Sequence, residues 1–169
     1  MSLAILYEHP AWFGPLFSAL DRRGLPYQAI HADGLILDPE APPPANIVFN
    51  RIGMSSFLRT PDHPIFFAAA AFAQWEAAGA RVINGSAALA VDSSKARQLA
   101  LLAGLGLAIP HTRIVHRPAD VTAAAEAIGF PLVVKANIGG SGAGIVRYDS
   151  ADELAAALRD GTQIGRAHV

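Results

Sequence analysis

The stretch PLVVKANIGGSGAGIV, residues 131–146, joins two short apolar runs through a glycine-rich turn. The runs are rich in β-branched residues and predict strands at residues 132–136 and 144–148. Glycine has no Cβ, so the backbone N–H groups of such a loop can turn inward and form a concavity that holds an anion. The stretch therefore predicts a strand, a phosphate-binding loop and a second strand.

Two lysines strengthen the prediction of a phosphate site. Lys135 ends the first strand, where its ammonium group can reach the loop, and Lys95 lies in the first turn of a predicted helix. The hydroxyl group of Ser141 adds a further donor. From the loop we predict phosphate contacts for Lys135, Gly139, Gly140, Ser141, Gly142 and Gly144, whereas Lys95 is a candidate whose alternative is an exposed helix lysine.

The spacing of the glycines separates this loop from the two common nucleotide-binding motifs. The pattern G-x-G-x-G leads into a strand, whereas a dinucleotide-binding G-x-G-x-x-G opens a helix, and no G-x-x-x-x-G-K-[ST] occurs. A glycine loop between two antiparallel strands is typical of a lid over the triphosphate of ATP. A glycine-rich hairpin with a purely structural role is the alternative that the loop alone leaves open.

Composition argues against several other classes of function. The chain of 169 residues has a formal net charge of −1 and no cysteine. We therefore expect no nucleic-acid partner, no binding to anionic membranes, and no disulfide, thiolate metal site or cysteine nucleophile. The start of the chain predicts a strand instead of a signal peptide, and no apolar run is as long as a membrane span, so a soluble cytoplasmic protein is expected.

Residues 1–90 alternate between strand and helix patterns, which is typical of a parallel α/β sheet. Strands are predicted at residues 3–7, 26–31, 46–49 and 80–83, and helices at residues 15–23 and 64–78. This segment is predicted to be a small doubly wound domain.

Residues 91–162 follow a different pattern. A helix capped by Asp92 or Ser93 is predicted to run to Ala103. A capping box begins at Ser150, before a last helix. A strand at residues 110–115 and a helix at residues 120–128 are predicted between them. Two adjacent strands joined by the glycine loop and flanked by helices indicate an α+β subdomain.

The last residues, 163–169 (QIGRAHV), lack hydrophobic periodicity. They resemble a translation of a DNA string that contains the start of a common sequencing adapter. We hypothesise that this segment is not native and that the natural protein is longer, so the segment is excluded from fold reasoning. A natural tail is the alternative.

The ordered segments resemble the ATP-grasp superfamily. They are VINGSAALAVDSSKARQLALLAGLGLAIPHTRIV, FPLVVKANIGGSGAGIV and SADELAAAL, and the resemblance extends over residues 80–158. The strand segment IVFNRIG and a pattern formed by Glu76, Gly79 and residues 82–84 look most like the RimK-type branch of carboxylate–amine ligases. The resemblance implies a small doubly wound α/β domain followed by the first α+β subdomain of an ATP-grasp fold, truncated in this chain.

The resemblance also implies ATP and Mg²⁺ as cofactors, and an unidentified carboxylate and amine as substrates. Lys95, Lys135 and residues 139–144 would contact the phosphate groups. The Mg²⁺ ligands of the family lie further along the chain, and no candidate run follows Asp160. We therefore predict no metal ligand and no catalytic residue here, and we expect this chain to bind ATP weakly or not at all and to be inactive alone.

Two residues of the first domain are candidate substrate contacts. Arg51 follows a predicted strand and could clamp a carboxylate through two parallel hydrogen bonds. Glu8 follows the first strand and could receive an amine at the same edge of the sheet. A structural ion pair for Arg51 and a surface position for Glu8 are the alternatives.

Two other functions stay open at this point. One is a non-catalytic α/β module that binds small molecules and has a structural glycine hairpin. The other is an ATP-grasp phosphotransferase. The sequence does not reveal the oligomeric state.

Overall fold

The computed structural model describes residues 2–59, 62–139, 142 and 144–160. The chain divides into two compact units, Met1–Asp92 and Ser93–Val169. Three predictions fall outside the described residues: the phosphate contacts of Gly140 and Ser141, and the non-native segment at residues 163–169.

The first unit contains a parallel sheet of four strands in the order β2-β1-β3-β4. The strands are β1 (Leu3–Tyr7), β2 (Gln28–His31), β3 (Ile47–Asn50) and β4 (Arg81–Ile83). The predicted strands coincide with these apart from one or two residues at their ends. The parallel α/β class predicted from the sequence is therefore confirmed for this unit.

Helix α1 (Pro10–Arg22) joins β1 to β2, and α2 (Pro64–Ala77) joins β3 to β4 after a 3-10 helix at Met54–Leu58. Helix α3 (Ser86–Asp92) follows β4. Ala4, Ile5 and Leu6 of the central strand β1 have no exposed surface, as expected of a parallel strand with both faces covered.

The direction of the connections reverses between β1 and β3. The chain passes from β1 to β2 on one side and from β3 to β4 on the other. Right-handed connections in opposite directions place α1 and α2 on opposite faces of the sheet. The carboxyl ends of β1 and β3 therefore flank the switch point, where open α/β sheets bind their ligands.

One prediction for the first unit was wrong in detail, and one element was missed. Helix α1 begins at Pro10, where a proline in the first turn loses no hydrogen bond, and the predicted start, Pro15, lies inside the helix. Helix α3 was not predicted. Its start is held by Glu76, whose carboxylate accepts hydrogen bonds from the backbone N–H and the hydroxyl group of Ser86.

The second unit consists of helices around a two-stranded antiparallel sheet. Its elements are α4 (Lys95–Gly104), α5 (Val121–Ile128), β5 (Leu132–Lys135), β6 (Ile145–Tyr148) and α6 (Ala151–Arg159), with a 3-10 helix at Pro118–Asp120. A small apolar core joins α5, both strands and α6, and consists of Val121, Ala125, Leu132, Tyr148 and Leu154. This arrangement confirms the two strands predicted on either side of the glycine loop.

Two predictions for this unit need correction, and one is confirmed. The cap of α4 is Ser94 and not Asp92 or Ser93, because α3 already occupies the chain as far as Asp92. Residues 110–115 form no strand, since no described strand pairs with them. The predicted cap of α6 is present, with the hydroxyl group of Ser150 accepting a hydrogen bond from the N–H of Glu153.

Within the described part of the chain, no helix combines the length and the apolar character needed to cross a lipid bilayer.

Candidate phosphate-binding site

The glycine loop connects β5 to β6, whose register pairs Lys135 with Ile145. Lys135 is the last residue of β5, and Lys95 is the first residue of α4. The ammonium group of Lys95 donates a hydrogen bond to the carbonyl oxygen of Gly139, at 3.3 Å. The fold therefore brings the two predicted lysines, far apart in the chain, to the same loop.

The electrostatics of Lys95 reflect this placement. Burial lowers the pKa of Lys95, and the nearby positive charge of Lys135 lowers it further. Both effects disfavour the charged form of Lys95 in the free protein. An anion bound between the two ammonium groups would reduce this repulsion, and the sequence predicts a phosphate group there.

The described loop glycines adopt backbone angles that favour glycine over other residues. Gly139, Gly142 and Gly144 have φ angles of 140°, 76° and 69°, in the region that other residues rarely adopt. A Cβ on Gly144 would also touch the Cβ of Ala136, at 3.5 Å. Positive-φ glycines therefore lie beside two lysines, at the position where the sequence predicts a phosphate-binding loop.

Asn137 links the loop to the start of α4. Its backbone oxygen accepts a hydrogen bond from the N–H of Lys95, at 3.1 Å. Its side-chain Oδ1 accepts from the N–H of Ala96 at 2.9 Å and from the hydroxyl group of Ser94 at 3.1 Å. The sequence analysis missed this residue, because only the preference of asparagine for turns and helix caps distinguishes it there.

The described residues contain no cluster of three or more metal-ligating side chains. Among residues 2–59, 62–139, 142 and 144–160, no group of three or more His, Asp or Glu side chains could hold a metal ion.

In the first unit, Glu8 follows the carboxyl end of β1 and forms an ion pair with Arg59. Its carboxylate accepts hydrogen bonds from Nη2 and, at 3.2 Å, from Nε of Arg59. The Glu8 side chain is only 6% exposed, and the guanidinium group of Arg59 lies 4.7 Å from the ring centroid of Trp12. The structure thus gives Glu8 an internal partner that an incoming amine would have to displace.

Arg51 lies at the same edge in a different environment. Its backbone N–H donates to the carbonyl oxygen of Leu6, at 2.8 Å, so the end of β3 is fixed beside β1. The guanidinium carbon is 5.0 Å from the ring centroid of Phe13 and 5.3 Å from that of Phe49. Among the described residues, Arg51 has aromatic neighbours but no acidic partner.

A cavity of about 340 Å³ opens beside Arg51, within the first unit. Its walls contain Asn50, Arg51, Ile52, Gly53, Asn84, Ala88, Leu89 and Asp92. The buried side chain of Asn50 connects two segments of the cavity wall by hydrogen bonds. It donates to the carbonyl oxygen of Asn84 at 2.7 Å and accepts from the N–H of Ile52 at 2.7 Å.

The lowered pKa of Lys95 predicts a dependence of stability on pH. Between the lowered pKa of the folded state and the ordinary lysine value, the unfolded chain binds more protons, so stability rises with pH across this alkaline window. Replacing Lys135 with Gln should raise the pKa of Lys95 and reduce this rise. An NMR titration of the Lys95 side chain measures the pKa. Lys135→Arg, which keeps the charge, is the control, and an unchanged pKa in Lys135→Gln would assign the shift to burial alone.

Comparison with known proteins shows which proteins this chain is similar to. Residues 92–164 match the family model of the RimK-like ATP-grasp domain. Over 82 residues the chain is 40% identical to ribosomal protein bS6–L-glutamate ligase of Shigella boydii serotype 4. The aligned region covers 48% of this chain and 27% of that relative, so the match extends over only part of the length of the relative.

Solved structures extend the similarity to nearly the whole chain. A RimK domain ATP-grasp protein from Sphaerobacter thermophilus has a TM-score of 0.71 at 21% identity, covering 95% of this chain and 58% of the other. The ADP complex of PurK, N5-carboxyaminoimidazole ribonucleotide synthetase, has a TM-score of 0.64 at 16% identity, covering 95% of this chain and 44% of the other. At these identities the likeness concerns the fold alone.

These matches, with the lysine pair and the glycine loop, define the class: the chain contains part of an ATP-grasp fold. More narrowly, the similarity of residues 92–164 is to the RimK-like ATP-grasp domain, and it extends over less than half of this chain.

Proposed function

We propose that this chain supplies the phosphate-binding loop of an ATP-dependent carboxylate–amine ligase. The observation that carries the proposal is the convergence of Lys95 and Lys135 at the glycine loop. Two ammonium groups in one site repel each other until a polyanion binds, and ATP is the polyanion that ATP-grasp proteins use. The names of the curated relatives, ribosomal protein bS6–L-glutamate ligases, support ligation as the chemistry.

The reaction class has two steps. A carboxylate oxygen attacks the γ-phosphorus of ATP, the bond between this phosphorus and the bridging oxygen breaks, and ADP leaves. The nitrogen of an amine then attacks the acyl carbon, a C–N bond forms, inorganic phosphate leaves, and the nitrogen loses a proton. Lys95 and Lys135 would hold and neutralise the transferred phosphates. Mg²⁺, when bound, supplies further charge neutralisation.

Arg51 is the residue proposed to hold the substrate carboxylate. It lies beside the switch point, at a cavity, and has no acidic partner among the described residues. Aromatic contacts occupy the faces of a guanidinium group and leave its N–H edge available for a bidentate contact with a carboxylate. Glu8 is less suited to an amine because it already pairs with Arg59.

The test uses the protein encoded by the full reading frame of the source gene, up to the stop codon of that gene. With MgATP, formation of ADP and phosphate should require both a carboxylic acid and an amine, surveyed as panels. Arg51→Gln should raise the KM for the acid about 10- to 100-fold, since a charged hydrogen bond contributes about 1.5–3 kcal/mol. Arg81→Gln, at the opposite end of the sheet, is the matched control.

The same assay separates the competing functions. Formation of a stable phosphorylated product that needs no amine would identify a phosphotransferase. Absence of ADP formation under every acid and amine, together with no ATP binding, would contradict the proposed function. An unchanged KM in Arg51→Gln would overturn only the assignment of that residue.

A further inference from the structure

The start of helix α4 has no free N–H group to offer a ligand. The first N–H groups of a helix lack partners within the helix and often bind phosphate. Here the N–H groups of Lys95 and Ala96 are taken by Asn137, and those of Arg97 and Gln98 by Ser94. A phosphate at this loop must therefore be bound by lysine side chains and loop amides.

The same contacts connect helix α4, which carries Lys95, to the glycine loop that follows Lys135. Asn137 follows Lys135 by two positions, and its hydrogen bonds go to the residues on either side of Lys95 and to the N–H of Lys95 itself. From the other direction, the ammonium group of Lys95 reaches the carbonyl oxygen of Gly139, at 3.3 Å. Asn137 and Lys95 thus bind the loop and the helix to each other from both sides.

We propose that Asn137 is a positioning residue that sets the placement of Lys95 relative to Lys135 and the glycine loop. Its effect on ATP binding rests on the proposed function, whereas its effect on the loop does not. Oδ1 acts only as an acceptor in these contacts, from the N–H of Ala96 and from the hydroxyl group of Ser94. A side chain without an acceptor oxygen therefore breaks both bonds, while the backbone bond to Lys95 remains.

The test compares variants of this chain by NMR. Asn137→Ala should lower the heteronuclear NOE of the amides of Gly139, Gly142 and Gly144, because the loop loses its attachment to α4. The pKa of Lys95 should move toward the ordinary lysine value as the ammonium group leaves the loop and Lys135. Affinity for inorganic tripolyphosphate should fall about fivefold, the equivalent of one hydrogen bond.

Two further variants separate positioning from general stability. Ser150→Ala removes the equivalent cap of α6 in the same unit and should change neither the loop amides nor the pKa of Lys95. Asn137→Asp keeps an acceptor oxygen and should restore the order of the loop, although its charge opposes tripolyphosphate.

The outcomes test the positioning role of Asn137 and the proposed function separately. Unchanged loop amides and an unchanged Lys95 pKa in Asn137→Ala would overturn the positioning role, as would equal changes in Ser150→Ala. Tripolyphosphate binding that is the same in the wild-type chain and in Lys135→Ala would count against the proposed function. The loop and pKa measurements need no ligand, so they would still test Asn137.

Discussion

Lys135→Ala is expected to weaken the binding of inorganic tripolyphosphate to this chain about 10- to 100-fold, because one charged hydrogen bond contributes about 1.5–3 kcal/mol. Lys95→Ala should have an effect of similar size. Both ammonium groups lie at the loop between β5 and β6, and Lys95 already contacts Gly139. Chemical-shift titration of the amides of Gly139, Gly142 and Gly144 measures the affinity.

The controls for this prediction lie on the same hairpin. Lys135→Arg keeps the positive charge and should retain most of the affinity. Arg147→Gln removes a cation from β6, where Arg147 pairs with Asp149 at 2.6 Å, and should have little effect. A comparable loss in Lys135→Ala, Lys95→Ala and Arg147→Gln, each of which removes one positive charge, would indicate that only the net charge of the chain matters. High salt should weaken the wild-type affinity, since both lysines are partly exposed.

The result also separates the competing functions. An α/β module with a structural glycine hairpin would bind tripolyphosphate no more tightly than sulfate and would not depend on Lys135. A specific loss in Lys135→Ala would leave an ATP-grasp protein as the explanation. The same loss in Lys95→Ala would show that the phosphate site includes the start of α4.

The sequence predicted the strands well because their signals are local. The β-branched runs LVVK and IVFN alone place β5 and β3 to within one residue. Residues 110–115 carry a similar pattern, yet they form no strand. A strand needs a hydrogen-bonded neighbour, and none of the described strands lies beside this segment.

The contacts of the candidate site were harder to predict because they join distant parts of the chain. Lys95 and Gly139 are 44 residues apart, and only the family resemblance suggested that Lys95 lies at the loop. Asn137 bonds to residues 41 and 43 positions away, and no local pattern indicates such partners. The start of α4 was misplaced for a related reason, since the cap at Ser94 depends on where α3 ends.

The assignment of Glu8 to a substrate amine shows that a role inferred from sequence depends on a partner that is distant in the chain. An acidic residue after the first strand of an α/β sheet faces the ligand crevice, which motivated its assignment to an amine. Its partner Arg59 lies 51 residues further along. Arg59 also donates to the hydroxyl group of Ser55, at 2.7 Å, so the pair connects the end of β1 to the 3-10 helix.

Glu8→Gln is expected to lower the free energy of unfolding of this chain by about 2–3 kcal/mol, because it leaves the partly buried guanidinium group of Arg59 without a counter-charge. Arg59 is 23% exposed, which places the loss below the range for fully buried pairs. The melting temperature should fall by about 4–12 °C for a chain of this length. Urea unfolding measures the free energy directly.

A double-mutant cycle decides whether the pair or Glu8 alone is responsible. Arg59→Met leaves the carboxylate of Glu8, only 6% exposed, without its partner and should destabilise the chain as well. The double variant removes both charges and should recover part of the loss, with a coupling energy of about 1–3 kcal/mol. If Glu8→Gln instead leaves stability unchanged and lowers only the use of the amine in the ligase assay, Glu8 receives the amine and the ion pair belongs to the free state. The cycle therefore distinguishes a structural ion pair from a substrate contact at the same carboxylate.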